Sequence, residues 1–152
     1  MAKKKKGGKH KGQRPPSVCK AILLCDSVSV DDDTDLADIS GVFSKLSIEG
    51  FPGPIPTFVV FLQLTNGVGR YQLTVEVHDL HDGEALFRIE TFVDFFDKLN
   101  AQIFAIPISL LSLRRPGAYD VIVLADGQEI DRQQFIAIER EGIGNGFEQT
   151  EP

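Results

Sequence analysis

From Arg70 to His78 the chain alternates without a break. Tyr71, Leu73, Val75 and Val77 fall on one parity, and Arg70, Gln72, Thr74, Glu76 and His78 on the other. A period of two marks a strand with one face in a core and the other in water. Turn chemistry brackets it: NGVG at 66–69 and HDG at 81–83 both read as hairpin connections. A strand this regular cannot stand alone, because half of its side chains need a second layer to cover them.

The rest of the chain supplies that layer in pieces of strand length. VCKAILLCDSV at 18–28 is apolar on both parities, as a central buried strand would be. ISGVFSKLSI follows at 39–48, FVVFLQLT at 58–65, EALFRIE at 84–90, QIFAIPISLLSL at 102–113, YDVIVLA at 119–125 and a last strand at 129–139. FPGPIP at 51–56, RRPGA at 114–118 and DGQ at 126–128 are turn signals between them. Pro107 suits an edge strand or a bulge, and it and the charged last strand are the expected guards of the sheet edges. One stretch departs from the strand pattern. Phe92, Phe95, Phe96 and Leu99 follow i, i+3, i+4, i+7, which predicts a short helical turn near 92–99 with its aromatic stripe in the core and Asp94, Asp97 and Lys98 outward. The expected fold is all-β: an antiparallel β-sandwich, Ig-like or C2-like, of about eight strands with that one helical turn.

The ends differ from the middle. Residues 1–16 are rich in Lys and Gly and hold no large apolar side chain beyond Met1. Such a segment cannot offset its ordering entropy, so a disordered basic arm is expected at 1–16, the sandwich at 17–141 and a flexible tail at 142–152. Lys3, Lys4, Lys5, Lys6, Lys9, Lys11 and Arg14 give the first fourteen residues +7. The whole chain is −6, so −6 less +7 leaves −13 for residues 15–152. A basic arm is attached to an acidic body. No apolar segment of signal-peptide length follows the arm, and the default location is cytoplasmic.

The cysteines agree with a reducing compartment. Cys19 and Cys25 lie on one extended segment, about 20 Å apart, whereas a disulfide needs Cα atoms within about 7 Å. They read as buried free thiols. His78 and His81 lack the helical spacing of a zinc motif, and the third histidine, His10, is in the arm.

Three features resemble chemistry. If every connection is a simple reversal, loops 29–38, 66–69, 92–101 and 125–128 share one end of the sandwich. Asp31, Asp32, Asp33, Asp35, Asp94, Asp97 and Asp126 would then converge, and Asp31, Asp33, Asp35, Asp94, Asp97 and Asp126 are candidates for a Ca²⁺ site. An EF-hand is excluded: counting Asp31 as the first position, the sixth is Leu36 and the twelfth Val42. At the opposite end Arg114 and Arg115 are expected near Asp79 and Asp82, as a surface ion-pair cluster or a partner-binding corner. Tyr119 reads as a packing tyrosine whose hydroxyl bonds a neighbouring turn. The arm, with its Lys, Arg and Gly and no aromatic residue, suits phosphate contact rather than base stacking. Its partner is left open among nucleic acid, an acidic protein or a membrane, and a simply solubilising terminus.

The segments KAILLCDSVSVDDDTD, GVFSKL, FPGPIP, GRYQLTVEVHDLHDG and PGAYDVIVLADGQEI together resemble an uncharacterised bacterial family of the domain-of-unknown-function type, over about residues 18–138. The resemblance implies a compact β-sandwich and transfers no catalytic residue. No cofactor is implied, and no nucleophile–base pair or phosphate-cradling glycine loop is visible. The expected function is therefore a non-enzymatic interaction module with a basic N-terminal tether. The alternatives are a Ca²⁺- or small-ligand-binding sandwich using an acidic loop end and a nucleic-acid-associated accessory protein.

Overall fold

The structure is a computed structural model and describes residues 17–96 and 101–141. Those residues form strands and turns only. β1 (Val18–Cys25) is followed by a short hairpin, β2 (Ser27–Val30) and β3 (Ala37–Ser40). Next come β4 (Lys45–Ile48), β5 (Gly53–Pro54), β6 (Phe58–Thr65), β7 (Gly69–Asp79) and β8 (Glu84–Phe95). β9 (Gln102–Ile108), β10 (Ser112–Leu113), β11 (Gly117–Ala125) and β12 (Gln128–Glu139) are the last of the described strands. A three-stranded sheet, β1-β6-β9, faces a five-stranded sheet, β4-β12-β11-β7-β8. All pairs are antiparallel except β4 with β12, which is parallel. β2 pairs with β3, and β5 with β10.

The alternation at 70–78 does what its pattern demands. Tyr71, Leu73, Val75 and Val77 are buried and face β6 residues Phe58, Val60, Leu62 and Leu64 across the sandwich core. Full burial of each large apolar side chain contributes roughly 1.5–3 kcal/mol. Aromatic rings link the layers: Phe43 packs edge-on against Phe58 at 5.4 Å, Phe58 against Phe135 at 6.0 Å, and Phe135 stacks on Tyr119 at 5.5 Å.

Several expectations need correction. The segment 92–95 is the end of β8, not a helical turn, and Leu99, with Asp97 and Lys98, lies outside the described residues. Val93 and Phe95 point into the core opposite Tyr71 and Gly69. Phe92 and Phe96 are 61% and 87% exposed. Period two wins because β7 offers a hydrogen-bonded neighbour along the whole of β8. NGVG is no hairpin: β6 and β7 belong to different sheets, and the loop carries the chain across the core. Gly67 fits there because a Cβ would sit 2.5 Å from the Phe95 ring. HDG and DGQ do close hairpins, the latter with positive φ at Asp126 (51°) and Gly127 (82°), as a tight turn between twisted strands requires.

The stretch 39–48 is two strands. It breaks at Gly41, whose φ of 71° and close approach to the Asp26 side chain suit glycine alone. β1 is an edge strand rather than a central one, and the stretch 102–113 splits into β9 and β10. β9, with Pro107, is an edge as expected, but the charged β12 lies inside its sheet between β4 and β11.

Candidate functional site

The registers fix which loops share an end. β1 pairs Val18 with Thr65 and Cys25 with Val59. β7 pairs Gly69 with Phe95 and Leu73 with Ala125. The entry at Ser17, the 66–68 crossing, the end of β8 and the β11–β12 turn are therefore together at one end, the entry end. The β2–β3 hairpin leaves from Cys25 at the other, the hairpin end, which also holds the β7–β8 turn and the start of β11. The premise of simple reversals fails because β3 turns back and the chain then crosses to the other sheet, where β4 runs parallel to β12. That crossing inverts the direction of β6.

The aspartates are consequently divided. Asp31, Asp32, Asp33 and Asp35 sit exposed at the tip of the β2–β3 hairpin. They stabilise their own turn. The Asp31 carboxylate accepts the Asp33 N–H at 2.8 Å, the Asp31 carbonyl accepts the Asp35 N–H at 2.7 Å, and Asp35 has φ 61°. Asp94 and Asp126 are at the entry end. Asp94 pairs with Arg70 at 3.0 Å, and Asp126 accepts the Gln72 N–H at 2.9 Å. Asp97 lies outside the described residues, as do Lys3, Lys4, Lys5, Lys6, Lys9, Lys11 and Arg14. The structure thus does not bring the hairpin aspartates to Asp94 and Asp126. Among the described residues no group of three or more His, Cys, Asp or Glu is placed to hold a metal ion.

The arginine corner assembles with the partners the sequence predicts, but at the hairpin end, not opposite the Asp31–Asp35 loop, because the β2–β3 hairpin leaves β1 at that same end. Asp79, the last residue of β7, is 1% exposed. One of its oxygens accepts the His81 N–H at 2.9 Å, and the other meets Arg115 Nε at 3.1 Å. Arg115 reaches Asp82 at 2.9 Å, and Arg114 reaches Asp82 at 3.2 Å and Glu84 at 2.9 Å. The Glu84 backbone N–H, and then the two arginines, hold the Asp82 carboxyl below the usual carboxylate range. Tyr119 closes the corner from beneath, its hydroxyl donating to the Arg115 carbonyl. Two guanidiniums are committed to three carboxylates of their own chain.

A third polar region was not singled out from sequence. On the outer face of the five-stranded sheet Glu76 bonds His78 at 2.8 Å and Arg88 at 3.1 Å, and Arg88 also bonds Glu90. Arg132 bridges Asp120 and Glu129 at 2.8 and 2.7 Å. Asp120 and Thr74 on this face are 6% and 3% exposed. The outward parity of Glu76 and His78 was legible, but which residues oppose them depends on a register that no turn signal states.

The thiols are quiet. Cys19 is free and half-buried, and burial followed by the nearby Asp131 pushes it up to about 11. Cys25 is free and buried, shifted the same way by burial and then by Asp26. Both are poor nucleophiles at neutral pH.

Fold and surface together define a β-sandwich domain with a projecting acidic hairpin. The chain belongs to DUF6941, a family of unknown function, whose model matches residues 20–138. No curated protein matches it by sequence. Among solved structures it is similar to an alkylpurine DNA glycosylase of Pseudomonas fluorescens bound to DNA containing an abasic site analogue. That likeness has 10% identity and a TM-score of 0.50, over 83% of this chain and 31% of the glycosylase. It also resembles a β-glucosidase of Listeria innocua in complex with isofagomine, at 11% identity and TM-score 0.44, over 78% of this chain and 16% of that one. An immunoglobulin-like protein of Pseudomonas aeruginosa matches at 12% identity and TM-score 0.41, over 83% of this chain and 99% of that one. The chain spans only a minor part of the two enzymes, and at such identities the likeness concerns fold alone. Among the described residues no helix is long and apolar enough to cross a membrane.

Proposed function

We propose that the protein is a non-catalytic interaction module in which the β-sandwich is the body and the basic arm an electrostatic tether to a polyanion. The observation that carries this reading is the charge split, +7 in the first fourteen residues against −13 in the rest. A body so acidic repels polyanions, which leaves the arm to make the contact. The entry at Ser17 lies at the end away from the acidic hairpin, so the arm is attached where the Asp31–Asp35 cluster interferes least. The arginines that could otherwise receive an anion, Arg114, Arg115 and Arg132, are engaged by carboxylates of the same chain. RNA or DNA is the favoured polyanion, because Lys and Arg interspersed with Gly let the backbone follow phosphates. An acidic protein uses the same charges and is the competing partner.

The test is retention on heparin and on immobilised RNA at low salt, comparing the full chain with one lacking residues 2–16. The full chain should be retained and eluted by modest salt, with the truncated chain in the flow-through. Equal behaviour of the two would sink the proposal. Retention on heparin without retention on RNA would point to the acidic-protein partner.

A further inference from the structure

We infer that β8 is a pairing edge through which two copies of this chain join, antiparallel, into one continuous sheet. Among the described residues β8, twelve residues long, has a single hydrogen-bonded neighbour, β7. Which of its backbone groups face outward follows from two contacts. Gln102 Oε1 accepts the Phe96 N–H at 3.2 Å, and Gln102 Nε2 donates to the Asp94 carbonyl at 3.1 Å. On the far side of β7, Gln72 exchanges both of its backbone bonds with Asp126. The even-numbered residues of β8 therefore turn their N–H and C=O away from β7, and the odd-numbered ones bond it. Gln102 caps this outward row at Asp94 and Phe96. A bulge at Leu86 interrupts it at the other end, where Val77 opposes Phe87 but His78 opposes Ala85. Between these stops the outward groups of Arg88, Glu90 and Phe92 form a ladder that is open among the described residues.

The side chains select both the occupant and its register. Two copies related by a twofold axis through the sheet must pair residues of equal parity, so that core faces stay on one side. Centring the axis on Glu90 sets two carboxylates opposite each other. Centring it on Ile89 places Arg88 opposite the second copy's Glu90 and Glu90 opposite its Arg88, so the two hydrogen-bonded pairs carry complementary charge. Ile89 then meets its own copy at the axis, and Phe87 meets Thr91. Phe87 and Ile89 are core-facing yet only half-buried, whereas Val93 and Phe95 farther along the strand are buried. An added strand covers the half-buried pair. β8 also lacks proline and lysine, two devices that usually blunt an exposed edge. The other edge of this sheet, β4, is four residues long, and β9 carries Pro107.

The test is sedimentation equilibrium of the full-length chain and its charge variants, with thermal melting to verify folding. The wild type should show a monomer–dimer equilibrium that deletion of residues 2–16 leaves unchanged, which separates this inference from the tether. R88E and E90R each place like charges opposite each other twice and should weaken association about tenfold or more. The double variant R88E/E90R restores both opposite pairs and should recover the dimer. An equimolar mixture of the two single variants should form a heterodimer. Glu90→Pro removes an outward N–H while sparing the β7 ladder, and should give a folded monomer. A wild type that stays monomeric at every accessible concentration would overturn the inference. Single variants that associate like the wild type, or a mixture that does not associate, would also overturn it.

Discussion

The arginine corner and the hairpin tip lie at the same end of the sandwich and are both dense in charge, yet they are built on opposite terms. In the corner, Asp79 is almost fully buried, and each of its oxygens has a donor. At the tip, four aspartates are exposed, and the bonds found there close the turn itself. The corner holds β7, the β7–β8 turn and the start of β11 in one arrangement. The tip adds −4 to the surface at little structural cost. Charge density alone does not separate structure from function; the burial of a single carboxylate does.

The sharpest way to break this contrast is Asp79→Ala. It strips Arg115 and the His81 N–H of a buried acceptor and should cost about 2–4 kcal/mol, read from the urea midpoint. An effect under about 0.5 kcal/mol would mean that the corner is ornamental, as surface pairs often are. Tyr119→Phe keeps the ring stacked on Phe135 and removes only the hydroxyl, so a loss of about 1 kcal/mol is expected in the same assay.

Acid should weaken the corner in a set direction. Asp82 is depressed in the folded state by the Glu84 N–H and then by the arginines. Its contribution is therefore present above the ordinary carboxylate range and lost as the pH falls through its lowered value. Glu129 behaves alike on the outer sheet face, held down chiefly by its bond to Arg132. Side-chain carboxyl shifts followed by NMR should show both titrating below exposed reference carboxylates; an ordinary midpoint at Asp82 would remove the electrostatic account. The smallest effect belongs to the tip. Changing Asp31, Asp32, Asp33 and Asp35 together to Asn keeps the turn's acceptors and should move stability by no more than about 0.5 kcal/mol. A larger fall would show that the tip, too, is structural.

Much of the strand inventory was legible because period two and turn residues are local signals. The corner was legible for the same reason: HDG and RRPG each flank a strand end, and one antiparallel pairing joins them. The position of the aspartates was not. It depends on the chain crossing between sheets at Gly41–Ser44 and again at Asn66–Val68, and a glycine turn looks the same whether it closes a hairpin or spans a core. The phenylalanines at 92–96 mislead for a related reason. Over five residues, spacings of three and four coexist with alternation at 93 and 95, and only the presence of β7 alongside decides between them. The outer-face ion pairs needed register, which the bulge at Leu86 shifts by one.

The parallel strand β4 has a consequence in time. Its residues Lys45–Ile48 find their hydrogen-bonded neighbours only at Ile136–Glu139. A ribosome that has released β4 must still produce most of the domain before that strand can dock, whereas β7 and β8 can zip together as soon as their turn emerges. Closure of so long a loop is entropically costly, and non-local pairing of this kind slows folding. Until β12 arrives, Ile48 has no sheet to enter, and the nascent domain exposes an unfinished flank that a chaperone could occupy.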